Sequence, residues 1–570
     1  MRKRRIGLQA AGLLTALMLL SACSQQNNNE TSASDTNISE SSTASGEESS
    51  SDTDGLTVKV VNGSFTGTVE DNGIYTWKGI PYAKAPVGDL RWKAPEEVDA
   101  SDESFEAYDF GYTCPQYEWP SEPASYNEIS EDCLTLNVWA SDVETADKPV
   151  MIYFHGGGYA WGGTSDSLYN GKNFVIEYPD IIMVSANYRV GMYGFIDFSD
   201  VPGGEDFPDS SRLGILDQLQ SIRWVKDNIE AFGGDPNNIT IFGESAGAGT
   251  ISAILTMDFE DNLFQRAIIE SGSLAITNDK EGYEIVGLTE ALLERSGAEN
   301  MDELMAIPEK ELIDIYFKPD EEDTTLNDMV VMPLRDGNVI PLDGYSVIKE
   351  GKNKNIDVMV GSNANEFNYW IEEVAMSFET ESIEDAIPLY QKYCLDPKVD
   401  ATISFFNDEE KTVLEKYWNS LPEDMDHVEK YTEFINDIVF RVPSVKLAEC
   451  HADAGGNSYV YYFAKDSTNP GMGACHAAEL AYVFNSPDET IFSGEVDTVL
   501  AKKMSNMWAN FARTGDPSIE GFTWEKFDTD NRKTLVIGND SSLTMEEDPL
   551  GEQREYMEDL VKWGHIQNNY

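Results

Sequence analysis

A serine between two glycines is the position in this chain most suited to nucleophilic chemistry. Ser245 lies in the run Gly-Glu-Ser-Ala-Gly, which fits the frame G-x-S-x-G. The apolar run Asn238–Phe242 before it predicts a buried strand, and the small apolar residues Ala246–Met257 after it predict a helix packed closely on a sheet. Because the flanking glycines carry no side chain that would clash, a serine on so sharp a strand-to-helix turn exposes its hydroxyl.

A second glycine turn offers the hydrogen-bond donors that such a serine needs. The run Pro149–Phe154 predicts a buried strand, which leads into the segment His155–Tyr159 with three consecutive glycines. Glycines at the end of a strand let main-chain N–H groups point into a cavity without obstruction. Gly157 and Gly158, together with Ala246 directly after the serine, are therefore the candidates to hold the oxyanion that forms when the serine attacks a carbonyl.

The serine also needs a base to take its proton, and the chain has only five histidines. His476 lies on a loop directly ahead of Ala477–Phe484, an apolar run that predicts a helix, and it is placed to reach a neighbouring strand end. The other four are predicted to lie in the glycine turn, in an acidic helix start, in a surface turn and near the C-terminus: His155, His427, His451 and His565. Position alone favours His476 without excluding the others.

The third member of such a set is an acid that orients the imidazole. Spacing cannot choose among 102 acidic residues, but a local pattern can. The run Ile356–Val360 predicts a strand, and a tight loop from Gly361 to Glu366 follows it. Glu366, just beyond the carboxyl end of that strand, is the candidate, although a solvated loop carboxylate is the default interpretation of any single glutamate.

These segments, taken in order with several others, resemble the type-B carboxylesterases, the family that includes the cholinesterases and the bacterial para-nitrobenzyl esterases. The resemblance runs from about Thr57 to Trp563. Besides the glycine turn, the serine turn, the glutamate loop and the histidine loop, the matching segments are Lys78–Ala83, Pro86–Trp92, Glu131–Asn137, Asn187–Gly191, Trp224–Ile229, Phe232–Pro236 and Glu270–Ser273.

The resemblance implies an α/β-hydrolase fold, with a large, mostly parallel central sheet flanked by helices. It implies a serine carboxylesterase that hydrolyses carboxylic esters through an acyl-enzyme intermediate. Ser245 would be the nucleophile, His476 the general base and then acid, and Glu366 the orienting acid. Ser271 would be a hydroxyl near the histidine. Glu479, one helical turn beyond the histidine, would be a buried supporting carboxylate or, equally, an exposed helix charge.

Two acidic segments with a helical pattern, residues 277–328 and 383–433, are predicted to be helical insertions around the sheet. In the family that the chain resembles, such insertions wall the substrate pocket. We expect Tyr369 and Trp370, just past the glutamate, on that wall, with plain core packing as the alternative.

The cysteines are not spaced as C-x-x-C pairs, and no metal-ligand cluster or cofactor motif is evident. We therefore expect neither a metal nor a cofactor. The resemblance implies a disulfide between Cys114 and Cys133. Cys394, Cys450 and Cys475 leave an odd count, and a bridge from Cys475 to Cys450 stays open as a way to steady the histidine loop.

The N-terminal sequence predicts export from the cytoplasm. A basic start and an apolar run of 15 residues ending in Leu20-Ser-Ala-Cys23 predict a signal segment at residues 1–22 that resembles that of a bacterial lipoprotein. Cys23 would then carry lipid, with an ordinary secretory signal as the alternative. Residues 23–55 contain no lysine or arginine and are rich in Ser, Thr, Asn and Glu, which predicts a disordered tether. Residues 56–570 would form the catalytic domain.

The net charge of −62 makes nucleic acids and anionic membrane surfaces poor partners, so that the membrane is reached only through the anchor. Scattered acids favour solubility over the steering of cationic substrates. The expected partner is a small-molecule ester. Amides, carbamates or lactones remain alternatives, as does a binding or adhesion protein on the same fold. The sequence does not decide the physiological substrate or the oligomeric state.

Overall fold

The computed structural model describes residues 56–70, 72–116, 128–278, 280–320, 325–327, 329, 331–370, 416–425 and 427–562. The predicted signal segment, the tether, Cys23, Cys394 and His565 lie outside these residues, as does most of the predicted insertion at 383–433.

Strands form the centre of the molecule. In chain order they are β1 (Thr57–Val60), β2 (Gly63–Thr66), β3 (Thr68–Val69), β4 (Tyr75–Pro81), β5 (Ser104–Glu106), β6 (Thr135–Ala140), β7 (Lys148–Phe154), β8 (Ile182–Ala186), β9 (Gly234–Glu244), β10 (Arg266–Glu270), β11 (Asp357–Asn363), β12 (Ser458–Phe463), β13 (Lys533–Ile537) and β14 (Leu543–Glu547).

Helices flank the strands. The α-helices are Lys172–Glu177, Gly191–Gly194, Leu213–Asn228, Ala246–Ile254, Lys280–Val286, Leu288–Ser296, Met301–Met305, Glu309–Tyr316, Gly344–Lys349, His427–Ile435, Val442–Asp453, Leu480–Val483, Thr498–Thr514 and Gly551–Lys562. Four of them fall within 277–328, as the acidic helical pattern predicts. Within the described ranges, no helix is long and apolar enough to cross a membrane.

Eleven strands make one sheet in the order β14-β13-β12-β11-β10-β9-β7-β8-β6-β4-β3. The block from β13 to β8 is parallel, and antiparallel strands complete both sides. A separate small sheet has the order β1-β2-β5. The large sheet, mostly parallel and flanked by helices, is the architecture that the sequence predicts.

Both faces of the large sheet are buried, as is usual for parallel strands covered by helices. Side chains alternate along β7, where Val150 and Ile152 join one apolar cluster while Met151 and Tyr153 join another. The two clusters therefore lie on opposite faces of the sheet.

Four neighbouring parallel strands bring the predicted functional segments to the same edge. Their register pairs Phe154 of β7 with Gly243 of β9, Glu244 of β9 with Glu270 of β10, and Glu270 in turn with Gly361 of β11. Because the carboxyl ends of these strands meet at one edge, the loops after them are neighbours there.

Candidate active site

Ser245 lies on a strained turn between β9 and the helix Ala246–Ile254. Its backbone angles are φ 54° and ψ −121°, in the left-handed half of conformational space that serine rarely adopts. The turn is fixed by main-chain bonds, since the N–H of Ser245 donates to the carbonyl of Glu270 (2.8 Å) and its own carbonyl accepts from Gly249 (2.8 Å). The side chain is only partly buried, so the hydroxyl is presented at the edge of the sheet.

Two glycines around this serine are required by close approach of the main chain. A Cβ on Gly247 would lie 2.1 Å from the carbonyl oxygen of Phe154, the last residue of β7. A Cβ on Gly156 would lie 2.7 Å from Glu244 Oε2 and 3.0 Å from the Cβ of Ser245. The glycine turn and the serine turn therefore pack directly against each other.

The predicted oxyanion donors lie at this contact. Gly157 has φ 102° and Gly158 has φ 57°, values that suit glycine, and the Gly157 carbonyl accepts from Ala160 and Trp161 to close the turn. Within the described residues, the N–H groups of Gly157, Gly158 and Ala246 donate to no protein acceptor. Three main-chain donors beside the serine are thus available to a ligand.

His476 and Glu366 form a buried pair. Glu366 follows β11, and its Oε2 lies 2.7 Å from His476 Nδ1. Its Oε1 accepts from the N–H of Asn363 (2.7 Å), and its carbonyl accepts from the N–H of His476 (3.2 Å). Glu366 is fully buried and His476 is 6% exposed. The helix predicted after the histidine is shorter than expected, at Leu480–Val483.

A second carboxylate, which was not predicted from the sequence, contacts the histidine. Glu244 Oε1 lies 3.0 Å from His476 Nε2, the nitrogen on the far side of the ring from Glu366. The signal was present, because a glutamate directly before the serine ends an apolar buried strand, where an unpaired charge is costly. His476 therefore lies between two carboxylates.

Glu479 is fully buried, which decides between the two predicted interpretations in favour of a supporting carboxylate. Its Oε1 accepts from Ser271 Oγ (3.4 Å), and its Oε2 accepts from the side-chain amide of Asn363. Ser271 thus reaches the site through Glu479. Asn363 links both glutamates, since its main-chain N–H donates to Glu366.

Four glutamates are buried in or beside this site: Glu244, Glu270, Glu366 and Glu479. Burial, with the charges of Glu244 and Glu366 adding to it, raises the pKa of Glu479 to about 8. Burial and Glu479 also raise the pKa of Glu270 well above its usual range, although the Trp508 indole donates to it (2.6 Å). Both shifts favour the protonated, neutral form of the carboxyl.

The pKa of the histidine is raised as well, but by charge and against burial. Burial disfavours the charged imidazolium, but the carboxylates of Glu244 and Glu366 outweigh it and raise the pKa of His476 well above its ordinary value. The two carboxylates therefore stabilise the imidazolium, the charged form of the ring.

Aromatic rings cover the histidine. Trp370 lies 4.8 Å from the imidazole and Phe440 lies 5.0 Å from it, measured between ring centroids. Tyr369 packs on Phe492 at 5.4 Å and on Trp370 at 5.2 Å, one ring further out. Of these four rings only Tyr369 and Trp370 were predicted from the sequence, because Phe440 and Phe492 come from distant parts of the chain.

The structure corrects two expectations away from the serine. His451, predicted in a surface turn, is buried on the helix Val442–Asp453, where Nδ1 lies 2.8 Å from Ser458 Oγ. Cys450 and Cys475 do not form the bridge left open above. Both are buried free thiols in the clusters on opposite faces of the sheet, and β-strands separate them.

The implied disulfide between Cys114 and Cys133 is confirmed. Of the other histidines, His155 is buried in the glycine turn and stacks on Tyr188 at 4.4 Å. In the described part of the chain, no group of three or more His, Cys, Asp or Glu side chains is arranged to hold a metal ion.

Comparison with known proteins gives consistent matches over nearly the whole chain. A profile described as "Carboxylesterase family" matches residues 54–556. Para-nitrobenzyl esterase of Bacillus subtilis is 32% identical over 511 residues, covering 86% of this chain and 96% of that protein. Acetylcholinesterase of Leptinotarsa decemlineata is 28% identical over 539 residues, covering 86% and 84%. A crystal structure of a Geobacillus stearothermophilus carboxylesterase superposes with a TM-score of 0.73 at 29% identity, covering 88% of this chain and 99% of that one.

Proposed function

Because the chain belongs to the carboxylesterase family and is a serine carboxylesterase, we propose that Ser245 is its nucleophile, His476 its proton carrier and Glu366 the acid that orients the histidine. The observation that carries this proposal is the 2.7 Å contact between Glu366 Oε2 and His476 Nδ1 at the sheet edge where the strained serine turn emerges. It fixes Nδ1 as the nitrogen that faces the acid, so Nε2 is the nitrogen that has to accept the serine proton.

In the proposed reaction, His476 Nε2 takes the proton of Ser245 while the serine oxygen attacks the ester carbonyl. The carbonyl oxygen becomes an oxyanion held by the N–H groups of Gly157, Gly158 and Ala246, each worth about 3 kcal/mol in the transition state. The carbon–oxygen bond to the alcohol then breaks, and the alcohol leaves with the proton from His476. Water repeats both steps on the acyl-enzyme and releases the carboxylic acid.

The contact with Glu244 adds a feature to this scheme. Nε2, which has to accept the serine proton, lies 3.0 Å from Glu244 Oε1. Among the described residues, Ser245 Oγ makes no hydrogen bond to His476, so the ring has to turn from Glu244 toward the serine for the reaction. We propose that Glu244 stabilises the imidazolium as it forms, and that Glu479 and Ser271 keep the neighbouring Asn363 in place.

The test is a pair of serine variants. Ser245→Ala should abolish hydrolysis of p-nitrophenyl acetate and labelling by a fluorophosphonate probe, since both require the nucleophile. Ser252→Ala is the matched control, because Ser252 is a buried serine on the helix Ala246–Ile254 that follows the serine turn. Retention of more than a small fraction of wild-type turnover in purified Ser245→Ala would overturn the assignment. The same labelling separates an esterase from a pure binding protein, a function that the names of the Bacillus and Leptinotarsa relatives do not favour.

The preference of the enzyme among carboxylic esters is a proposal about two aromatic side chains, Tyr369 and Trp370. Trp370 packs beside the histidine and Tyr369 packs on Trp370, and we propose that both rings contact the substrate. Esters of p-nitrobenzyl alcohol are the first to test, because the Bacillus relative is named for them. With p-nitrophenyl esters of graded acyl length, Trp370→Ala should change the length preference, whereas an unchanged preference would assign this ring to core packing.

We also propose that the enzyme is extracytoplasmic and anchored by lipid on Cys23. The basic start, the apolar run and the ending Leu20-Ser-Ala-Cys23 support this, and a buried disulfide suits an oxidising compartment. Wild-type protein should sediment with membranes in a bacterial host that processes lipoproteins, and Cys23→Ser should abolish processing or release it with activity unchanged. Wild-type protein in the medium, with an N-terminus other than Cys23, would instead make it a secreted enzyme.

A further inference from the structure

A widened turn interrupts the long helical segment that covers the histidine. The α-helices His427–Ile435 and Val442–Asp453 are joined by a π-helical stretch, Asn436–Arg441. The N–H of Val442 donates to the carbonyl of Asp437, five residues back, instead of the usual four. Such turns are rare and occur frequently at functional sites, so the contacts of this one need an explanation.

The first residue of the stretch binds the turn that carries the catalytic acid. Asn436 Oδ1 accepts from the N–H of Phe367 (2.9 Å), and its Nδ2 donates to the carbonyl of Ala364 (2.8 Å). These two main-chain groups stand on either side of Glu366. Asn436 is 3% exposed, so the water needed to replace either bond is largely excluded.

The rest of the stretch is held rigidly and faces the same site. Asp437 accepts from Arg441 Nε and from Tyr417 Oη (2.8 Å), which ties both ends of the π-turn together. Phe440, one turn after Asn436, places its ring 5.0 Å from the imidazole of His476. One short segment thus contacts both the acid-bearing turn and the base.

We propose that Asn436 is a positioning residue for catalysis, acting through Glu366; this inference rests on the function proposed above. The asparagine holds the 364–367 turn at two points. The turn in turn sets the carboxylate whose Oε2 meets His476 Nδ1 at 2.7 Å. Without the asparagine, two buried main-chain groups lose their partners, and the turn relaxes toward other donors and acceptors. The carboxylate then leaves its alignment with the ring.

The test compares two buried asparagines that make the same kind of contact. Asn436→Leu removes both bonds at similar volume. Asn228→Leu is the matched control, because Asn228 accepts from the N–H of Val61 (2.9 Å) and donates to the carbonyl of Trp224 (2.8 Å) with no contact to the site residues. We expect Asn436→Leu to lower kcat for p-nitrophenyl acetate by roughly 10–100-fold, the range found when residues that orient metal ligands are replaced, and to change KM much less than kcat. The control should lose thermal stability but keep kcat.

Two further measurements separate positioning from general destabilisation. Since Glu366 raises the pKa of His476, its displacement should lower that pKa and move the acid limb of kcat/KM to lower pH. In a double-mutant cycle, Asn436→Leu added to Glu366→Gln should cost little beyond Glu366→Gln alone, because both act through one carboxylate. If Asn436→Leu does not fold, Asn436→Ser takes its place in the same assays.

Additive losses, or wild-type kcat and an unmoved pH limb in Asn436→Leu, would overturn the inference. The failure of the underlying function is distinguishable, because it would appear as activity retained in Ser245→Ala. An inactive Ser245→Ala with an unaffected Asn436→Leu would refute only the positioning role.

Discussion

Replacement of Glu366 by glutamine tests the orientation of the histidine with almost no change of shape. Glu366 Oε1 accepts from the N–H of Asn363, and Oε2 accepts from His476 Nδ1, both at 2.7 Å. A glutamine has one acceptor and one donor in these places. The main-chain N–H of Asn363 can only donate, so the amide oxygen must take that side and the amide NH₂ must face the histidine.

The consequence is the wrong tautomer. A donor facing Nδ1 requires a lone pair on that nitrogen, and the ring proton then moves to Nε2, which can no longer accept the proton of Ser245. In a serine protease triad the corresponding change lowers kcat by about 10⁴-fold, equivalent to about 5 kcal/mol of transition-state stabilisation at 1.36 kcal/mol per tenfold. We expect a loss of that order here, because both oxygens of Glu366 are engaged and the pair is buried.

The assay is kcat for p-nitrophenyl acetate with purified protein, alongside circular dichroism to confirm folding. Glu479→Gln is the matched control, since burial raises the pKa of Glu479 to about 8 and the carboxyl is already neutral at pH 7. That change should cost less than about tenfold, because a neutral amide replaces a neutral acid. A loss below tenfold in Glu366→Gln, or equal losses in the two variants, would show that Glu366 does not set the tautomer.

Three further outcomes are expected. Glu244→Gln removes a carboxylate that raises the pKa of His476, so the neutral base persists to lower pH and the acid limb of kcat/KM for p-nitrophenyl acetate should shift downward; an unmoved limb would contradict the contact. Replacing Cys114 and Cys133 together by alanine should lower the free energy of unfolding by about 3 kcal/mol in urea titrations, because the bridge limits the unfolded chain; equal stability would argue against a formed bridge. Gly247→Ala should lower stability by about 1–3 kcal/mol and reduce activity, since its methyl group meets a main-chain oxygen at 2.1 Å; wild-type thermal unfolding would refute the close approach.

The sequence predicts the parts of this site whose chemistry is local. Ser245 lies in a strand–turn–helix pattern. The glycines before and after it indicate a close approach of the main chain, which leaves no room for a side chain. Glu366 follows a strand in the same way. Parallel strands bring their carboxyl ends together, so the segments could be assigned to one edge before their distances were known.

The remaining contacts depend on distances along the chain that no local pattern encodes. Asn436 meets the Glu366 turn across about 70 residues, and its π-turn has no signature in residue type. The side chain of Glu244 reaches His476 only because of where the loop after β12 returns. His451 reads as part of a surface turn because the small polar residues after it suggest one, but packing against Ser458 buries it on a helix.

At Ser245 the backbone conformation favours a different residue for stability than the one that activity requires. At φ 54° and ψ −121° a side chain of any kind is strained, by about 1–3 kcal/mol, and glycine alone would adopt these angles freely. Thermodynamic stability and turnover therefore have different optimal residues at this position. The active enzyme tolerates the less stable choice because the buried parallel sheet on either side overdetermines the turn. Attempts to make this enzyme more heat-resistant should therefore leave the serine turn unchanged and introduce stabilising substitutions in helices and loops far from it.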